Sequence, residues 1–580
     1  VGKLVFLGRT VLIPSEGSTT NPEAEWTRFT EGVARTGSKL SSLQSSVITA
    51  FSDATMQLFE SYQAIVTDPT IRESVRTLVY ERQVNAEWAV YEAFSRAKEV
   101  LARVPNLHIA EKVDDLENVK EMLLESLSGR EAKMRNDLRD AIVVCESITP
   151  REVIALGQAG AAALVCGTGT RSSHVAIIAR NISLPAVVGV GGFARSFKVG
   201  DIAVVDGARG VVEVSPTDES LRFYELKSQL WQNYGREVLE RAAQPTVTRD
   251  GHALHVMANL ESSDELPQFQ LAHADGIGLF RLEFFYMMTG EFPDEEEIFR
   301  ELARVRSGMG ERNVVVRLLD AGGDKEIPAV TTLLRSKRLL KKVNPALGLR
   351  GVRILLQNPH VLEPQIAAIV RANAGGRVKI LIPFVTSLDE VRAIKCQVRQ
   401  VWQGLALRSE RELPFPEIGI MIETPAAAMM IDVFANEVDF FSIGSNDLMQ
   451  HGLAVDRTDG SVGSIYDWFH PAVLRMIQKV VVDASVRGVP VSLCGEMGSD
   501  FLAIELLVGL GLRTFSASIH AIPGVKEVIR NIEIGAAQHL VVEVLELRTS
   551  LEIRNRLQER FIERFGMELF ALLVGEEDSE

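Results

Sequence analysis

Cysteine is scarce in this sequence. Cys145, Cys166, Cys396 and Cys494, four among 580 residues, are too few and too scattered for a disulfide framework or a zinc knuckle, so they read as free thiols unless one has chemistry to do. A block of lysine and arginine is also missing. With a formal net charge of −15, this argues against a protein that grips a nucleic-acid backbone and leaves only local basic pockets open. No apolar stretch has the length to cross a bilayer, and Val1 to Leu12 lacks a basic region followed by a cleavable apolar core. The expectation is a cytoplasmic protein with no membrane insertion. What the chain has is bulk: at 46% hydrophobic composition it can bury more than one core.

The period of the apolar residues changes along the chain. After a strand-like start at Leu4 to Leu12, residues Asn21 to Leu138 read as roughly four helices, with Leu43, Val47 and Phe51 and then Leu58, Tyr62 and Ile65 at helical spacing. Thr67-Asp68-Pro69 and Val104-Pro105-Asn106 interrupt them. From Ala141, short strands separated by glycine-rich turns (Ala141 to Val144, Ala163 to Val165, Ala186 to Val188, Asp201 to Val205, Val211 to Val214) predict a small α/β unit. Leu221 to Ala242 is a polar helical connector. Beyond it lie eight apolar strand candidates: Ala253 to Ala258, Gly276 to Phe280, Val314 to Leu318, Val378 to Ile382, Ile418 to Ile422, Val438 to Ile443, Val489 to Leu493 and Gly511 to Phe515. Helical stretches between them predict a (β/α)8 barrel, with an open doubly wound sheet as the alternative. The chain from about Leu545 reads as helical and peripheral.

Charged or reactive side chains fall just past these strands, the place where a parallel barrel collects its site. Arg281 and Glu283 follow the second strand; Arg317 ends the third, with Asp320 and Gly322-Gly-Asp-Lys325 beyond; Arg350 stands in Asn344-Pro-Ala-Leu-Gly-Leu-Arg350. Several arginines converging on one pocket call for a polyanionic ligand, the plainer alternative being rim ion pairs with Glu283 or Asp320. Glu423 ends the fifth strand and Asn446-Asp447 the sixth, a hard oxygen set suited to Mg²⁺, or else a solvated salt-bridge network. Arg457 adds a positive charge near them. Cys494 ends the seventh strand, where a thiol can give or take a proton at carbon, although free cysteine is most often buried filler. In the small unit, Gly167-Thr-Gly-Thr-Arg-Ser-Ser-His174 precedes an apolar helix. Imidazole at a helix start suits phosphoryl relay; the alternative is a helix capped by Ser172 or Ser173 with His174 a surface residue.

These stretches, together with Glu423-Thr-Pro425, Gly444-Ser-Asn-Asp447, Asp456-Arg457 and Cys494-Gly-Glu496, resemble the phosphoenolpyruvate-dependent phosphotransferases, specifically enzyme I of the bacterial phosphotransferase system, over nearly the whole chain. Gly290 to Glu297, Val385 to Glu390, and Ile465-Tyr466 with His470-Pro471 look more like the nitrogen-related branch than the sugar-transport branch; the amino-terminal sensory domain often found there is expected to be absent. The resemblance implies a multidomain α/β chain. Its parts are a swivelling phosphohistidine α/β domain (1–20 and 141–220), an inserted all-helical domain that docks an HPr-type phosphocarrier (21–140), a helical linker (221–245), a phosphoenolpyruvate-binding TIM-type barrel that dimerises (246–545) and a helical extension (546–580). It implies His174 as phosphoacceptor, Arg281, Arg317, Lys325, Arg350, Asn446 and Arg457 as substrate ligands, Glu423 and Asp447 as Mg²⁺ ligands, Cys494 as the acid that protonates the enolate carbon, and Phe59-Glu60 with Asp68 in the carrier-docking block.

Several positions depart from the family's pattern: Thr170 and Ser172 near the histidine, Leu282 and Leu318 after two arginines where threonine is usual, Val343 before Asn344-Pro345, His451 where tyrosine is common, and Gly498-Ser499. The expectation is that they strip hydroxyls and one charge from around the pocket and retune the rate. Two other readings stand beside a working enzyme I. One is a non-catalytic scaffold that binds a phosphocarrier. The other is an enzyme like pyruvate phosphate dikinase or phosphoenolpyruvate synthase, which requires an ATP-grasp domain that Asn21 to Leu138 does not offer.

Overall fold

Short β-branched runs become strands because they fit a pleated surface buried on both sides, and the glycine turns between them let the chain reverse. The computed structural model describes all residues except 8–13, 48–61, 64, 103–106, 130–137, 169–173, 183, 193–196, 208–209, 284, 287–291, 323–326, 328, 332, 334–346, 410–412, 457–461, 463–464 and 575–580. The chain forms two compact units, Val1–Gln229 and Leu230–Asp578.

The first unit holds a six-stranded sheet in the order β4-β3-β2-β1-β5-β6. Its strands are β1 (Gly2–Phe6), β2 (Ala141–Cys145), β3 (Ala163–Cys166), β4 (Ala186–Val188), β5 (Ile202–Asp206) and β6 (Val211–Val214). β1 runs parallel to β2, with Lys3 opposite Ala141, so the helical block is inserted between two neighbouring strands. That block contains α1 (Pro22–Val47), α2 (Pro69–Glu81), α3 (Ala86–Ala102) and α4 (Leu107–Ser128). Asp68 caps α2, accepting the backbone N–H groups of Thr70 at 2.8 Å and Ile71 at 3.0 Å, and Pro69 takes the first turn, where no N–H is needed. A break not foreseen in the sequence separates α2 from α3, where Gln83 takes a positive φ of 52°. The block and the sheet share one apolar cluster, from Phe29, Val79, Val90 and Leu123 to Val143, Leu164 and Ile178. Two further helices, α5 (Pro150–Gln158) and α6 (His174–Asn181), belong to the α/β part, and α7 (Asp218–Arg241) is the connector. The turn at Val104-Pro105-Asn106 and the pair Phe59-Glu60 lie outside the described residues.

The second unit is a closed barrel of eight parallel strands, which excludes the open-sheet alternative. They are β7 (His255–Leu260), β8 (Ile277–Arg281), β9 (Val314–Arg317), β10 (Val378–Ile382), β11 (Ile418–Ile422), β12 (Phe440–Ile443), β13 (Val491–Leu493) and β14 (Thr514–Ala517). Closure is made by β14 on β7, with Thr514 opposite His255. Leu279, Val315, Leu381, Met421, Phe440 and Cys494 form an apolar cluster of their own, separate from the large core that packs strands against helices. The last helices are not peripheral. Ile553, Leu557 and Phe561 belong to the main core, and Glu505 accepts from Arg560 at 3.1 Å and Arg564 at 2.6 Å, because an amphipathic helix with this many apolar residues has to bury them somewhere.

Candidate active site at the barrel mouth

Strand alternation decides which side chains reach the mouth. Arg317, the last residue of β9, is buried; its Nη2 donates to Glu283 Oε1 at 2.7 Å, while its Nη1 lies 3.5 Å from Asp320 Oδ2 and 3.7 Å from the sulfur of Met421. Arg350, wholly buried, donates from Nε and Nη2 to the two oxygens of Asp320, each at 3.1 Å, and from Nη2 to Asp447 Oδ2 at 2.7 Å. The Phe384 ring lies 4.9 Å from that guanidinium. Gly322, at φ 92°, brings the chain against residues 349–350: a Cβ there would stand 2.6 Å from the Leu349 carbonyl oxygen, and Gly322 and Arg350 form a backbone bridge.

Glu423, one residue past β11, is buried and accepts the backbone N–H of Phe384 at 2.5 Å. Gly444 makes room beside it, since a Cβ there would lie 3.2 Å from Glu423 Oε2. Carboxylate oxygens of Asp320, Glu423 and Asp447 all fall within 4.8 Å of one another. Burial, followed by the nearby charges of Asp320 and Asp447, raises the Glu423 carboxyl to about 8. Four carboxylates, Glu283 included, thus face two guanidinium groups. Such a set, short of positive charge and made of hard oxygens, fits a divalent cation.

Cys494 follows β13 and is buried, its Sγ 3.5 Å from the Ile443 carbonyl oxygen. Burial raises its thiol; Ser442, Arg317 and Arg281 pull it down and Glu423 pushes it up. Arg281 ends β8 half-buried and donates to Glu261 Oε1 at 2.5 Å. Asn446 is tied to Glu496 twice, donating to its Oε1 at 3.0 Å and accepting its backbone N–H at 3.0 Å.

Three family models match the chain in order: "PEP-utilising enzyme, N-terminal" over 1–112, "mobile domain" over 138–210 and "PEP-binding domain" over 236–534. Relatives named phosphoenolpyruvate-protein phosphotransferase align over most of their length. The protein of Staphylococcus carnosus is 31% identical over 93% of this chain and 94% of its own, that of Bacillus sp. (strain S) 33% over 93% and 92%, and that of Haemophilus influenzae 31% over 93% of each. The chain belongs to the phosphoenolpyruvate-protein phosphotransferase family.

Within that family frame, the structure brings Arg317, Arg350, Glu423, Asp447 and Cys494 together, while Arg281 pairs with Glu261. His174 opens α6, and Lys325, Arg457, Asn344 and Val343 lie outside the described residues. Two acids that the sequence pairs only with arginine turn out to shape the site. Asp320 completes the carboxylate triad and Glu283 braces Arg317; the signal in the sequence was their spacing, three and two residues beyond arginines that end strands. Leu282 and Leu318 stand behind the pocket rather than in it. Both are buried in the main apolar core, on the face opposite the arginines they follow, so they take no hydroxyl from the pocket wall. Among the described residues no helix is long and apolar enough to cross a membrane.

Proposed function

We propose that this chain moves the phosphoryl group of phosphoenolpyruvate onto His174 and then onto a histidine of an HPr-type phosphocarrier, of the sugar or nitrogen branch, releasing pyruvate. The observation that carries this reading is the buried cluster of two guanidinium groups among three mutually close carboxylates at the strand ends.

Arg317, Arg350 and Arg281, joined by Lys325, Asn446 and Arg457, hold the substrate's phosphate and carboxylate through paired N–H donors. Glu423 and Asp447, with Asp320 beside them, would hold Mg²⁺. When bound, that ion would supply charge neutralisation for the substrate's anionic groups. The imidazole of His174 attacks phosphorus in line, a P–N bond forming as the P–O bond to the enol breaks, while the arginines neutralise the equatorial oxygens. Cys494, kept as a thiol by burial, gives its proton to the methylene carbon of enolpyruvate, which becomes the ketone, and regains one from solvent. His174 has to meet both the barrel mouth and the carrier, so the small phosphohistidine α/β domain swings, with the connector Leu221 to Ala242 as its lever. The carrier docks on the helical block near Asp68, and the barrel pairs two chains into a homodimer. In domain terms this is a phosphohistidine unit of 1–20 and 141–220, a docking insert of 21–140, a linker of 221–245, a barrel of 246–545 and a terminal extension.

Incubation with phosphoenolpyruvate and Mg²⁺, followed by detection of acid-labile phosphate, tests the proposal. Label on the wild type that is lost in His174→Ala is the expected result. An unlabelled wild type, or label that survives the substitution, overturns it.

A further inference from the structure

We infer that Glu283 is a positioning residue for this reaction, fixing where the Arg317 guanidinium sits relative to Asp320. The inference rests on the barrel mouth being the phosphoenolpyruvate site. One oxygen of Glu283, Oε1, accepts two bonds at once, from Arg317 Nη2 at 2.7 Å and from the backbone N–H of Asp320 at 2.8 Å. A single atom therefore sets the spacing between an expected phosphate ligand and an acid of the carboxylate triad. The other oxygen, Oε2, is buried with no hydrogen-bond partner among the described residues, and so is Nε of Arg317. A carboxylate and a guanidinium paired only for stability would use both forks, since an unpaired charged atom is costly to bury. The single contact through Nη2 instead aims the guanidinium.

What it is held away from is close by. Nη1 of Arg317 is already 3.5 Å from Asp320 Oδ2, and Asp320 is already gripped by Arg350 through both oxygens. Without Glu283, the free Arg317 head closes on Asp320, which two guanidinium groups then share. Arg317 loses its alignment to the phosphoryl group, and Asp320 is drawn away from Glu423 and Asp447.

The test uses full-length chain. Glu283→Ala is expected to lower kcat about 100-fold, the scale of an ångström-sized misplacement of a transition-state ligand. In a His174→Ala background, calorimetry should show phosphoenolpyruvate affinity within about threefold of the parent and Mg²⁺ affinity weakened about tenfold. Glu283→Gln, whose amide oxygen can accept both bonds, should recover kcat to within about fivefold of wild type, and Glu283→Asp, with its acceptor drawn back, should fall between. Equal losses in the alanine and glutamine variants, or a lowered melting temperature with kcat intact, overturn the inference. If Glu283→Ala fails to fold, wild-type kcat in Glu283→Asp overturns it. If the wild type takes no phosphate, the reading of the site fails, and the Mg²⁺ titration still decides this inference: unchanged affinity in Glu283→Ala ends it.

Discussion

A buried carboxyl between two other acids is a proton trap until a cation arrives. Glu423 titrates near 4.5 in an unfolded chain and near 8 here, so the folded state binds its proton more tightly. Its contribution to stability is complete below about pH 4.5 and is lost as pH climbs through about 8. Thermal unfolding in a chelator should therefore show stability declining across that window by a few kcal/mol. Glu423→Gln should flatten the decline, as should saturating Mg²⁺, because the ion displaces the proton. Parallel slopes for wild type and Glu423→Gln would refute the assignment. Leu318 gives a second prediction of the same grain. Because it packs in the core, Leu318→Thr should cost about 2–4 kcal/mol in urea unfolding, through lost burial and a stranded hydroxyl, without raising kcat. A faster enzyme of unchanged stability would put that side chain in the pocket after all.

Among the elements, the loop after β9 is the least forgiving. Gly322 lies where a methyl group would press on the Leu349 carbonyl and where φ is positive, so Gly322→Ala has to push residues 349–350 aside. Since Arg350 holds Asp320 and Asp447 together, kcat/KM should drop at least 100-fold while far-ultraviolet circular dichroism stays native; a drop under threefold would show that the loop yields freely. The same region shows how much could be read from sequence. The barrel strands were legible because Val314-Val-Val and Ile418 to Ile422 are continuous apolar runs, and each observed barrel strand falls within two or three residues of its expected bounds. The mouth arginines and Glu423 were legible because they stand at the ends of those runs. What stayed hidden was pairing across the fold. Nothing in sequence spacing says that Glu283 would take Arg317 through a single oxygen, or that Asp320 would meet Glu423 and Asp447. The side on which the leucines pack was hidden for a related reason: adjacency to an arginine in sequence means the opposite face in a strand.

At the scale of the whole molecule, the two units have separate cores, one running from Phe29 to Leu184 and the other from Leu254 to Phe570. Scanning calorimetry should resolve two transitions, with Mg²⁺ raising only the one that belongs to the barrel by the usual ligand linkage. A single transition that shifts as one would mean that the units unfold together. The first unit carries a further consequence of its strand order. β1 is flanked by β2 and β5, both of which lie beyond the helical insert. As the chain leaves the ribosome, well over a hundred residues have to emerge after β1 before that strand finds a neighbour, a wait on the order of ten seconds at ordinary elongation rates. For that interval an apolar ribbon, Leu4-Val5-Phe6 among its residues, stands with both edges open, and it is there that trigger factors and other nascent-chain holdases would be expected to bind.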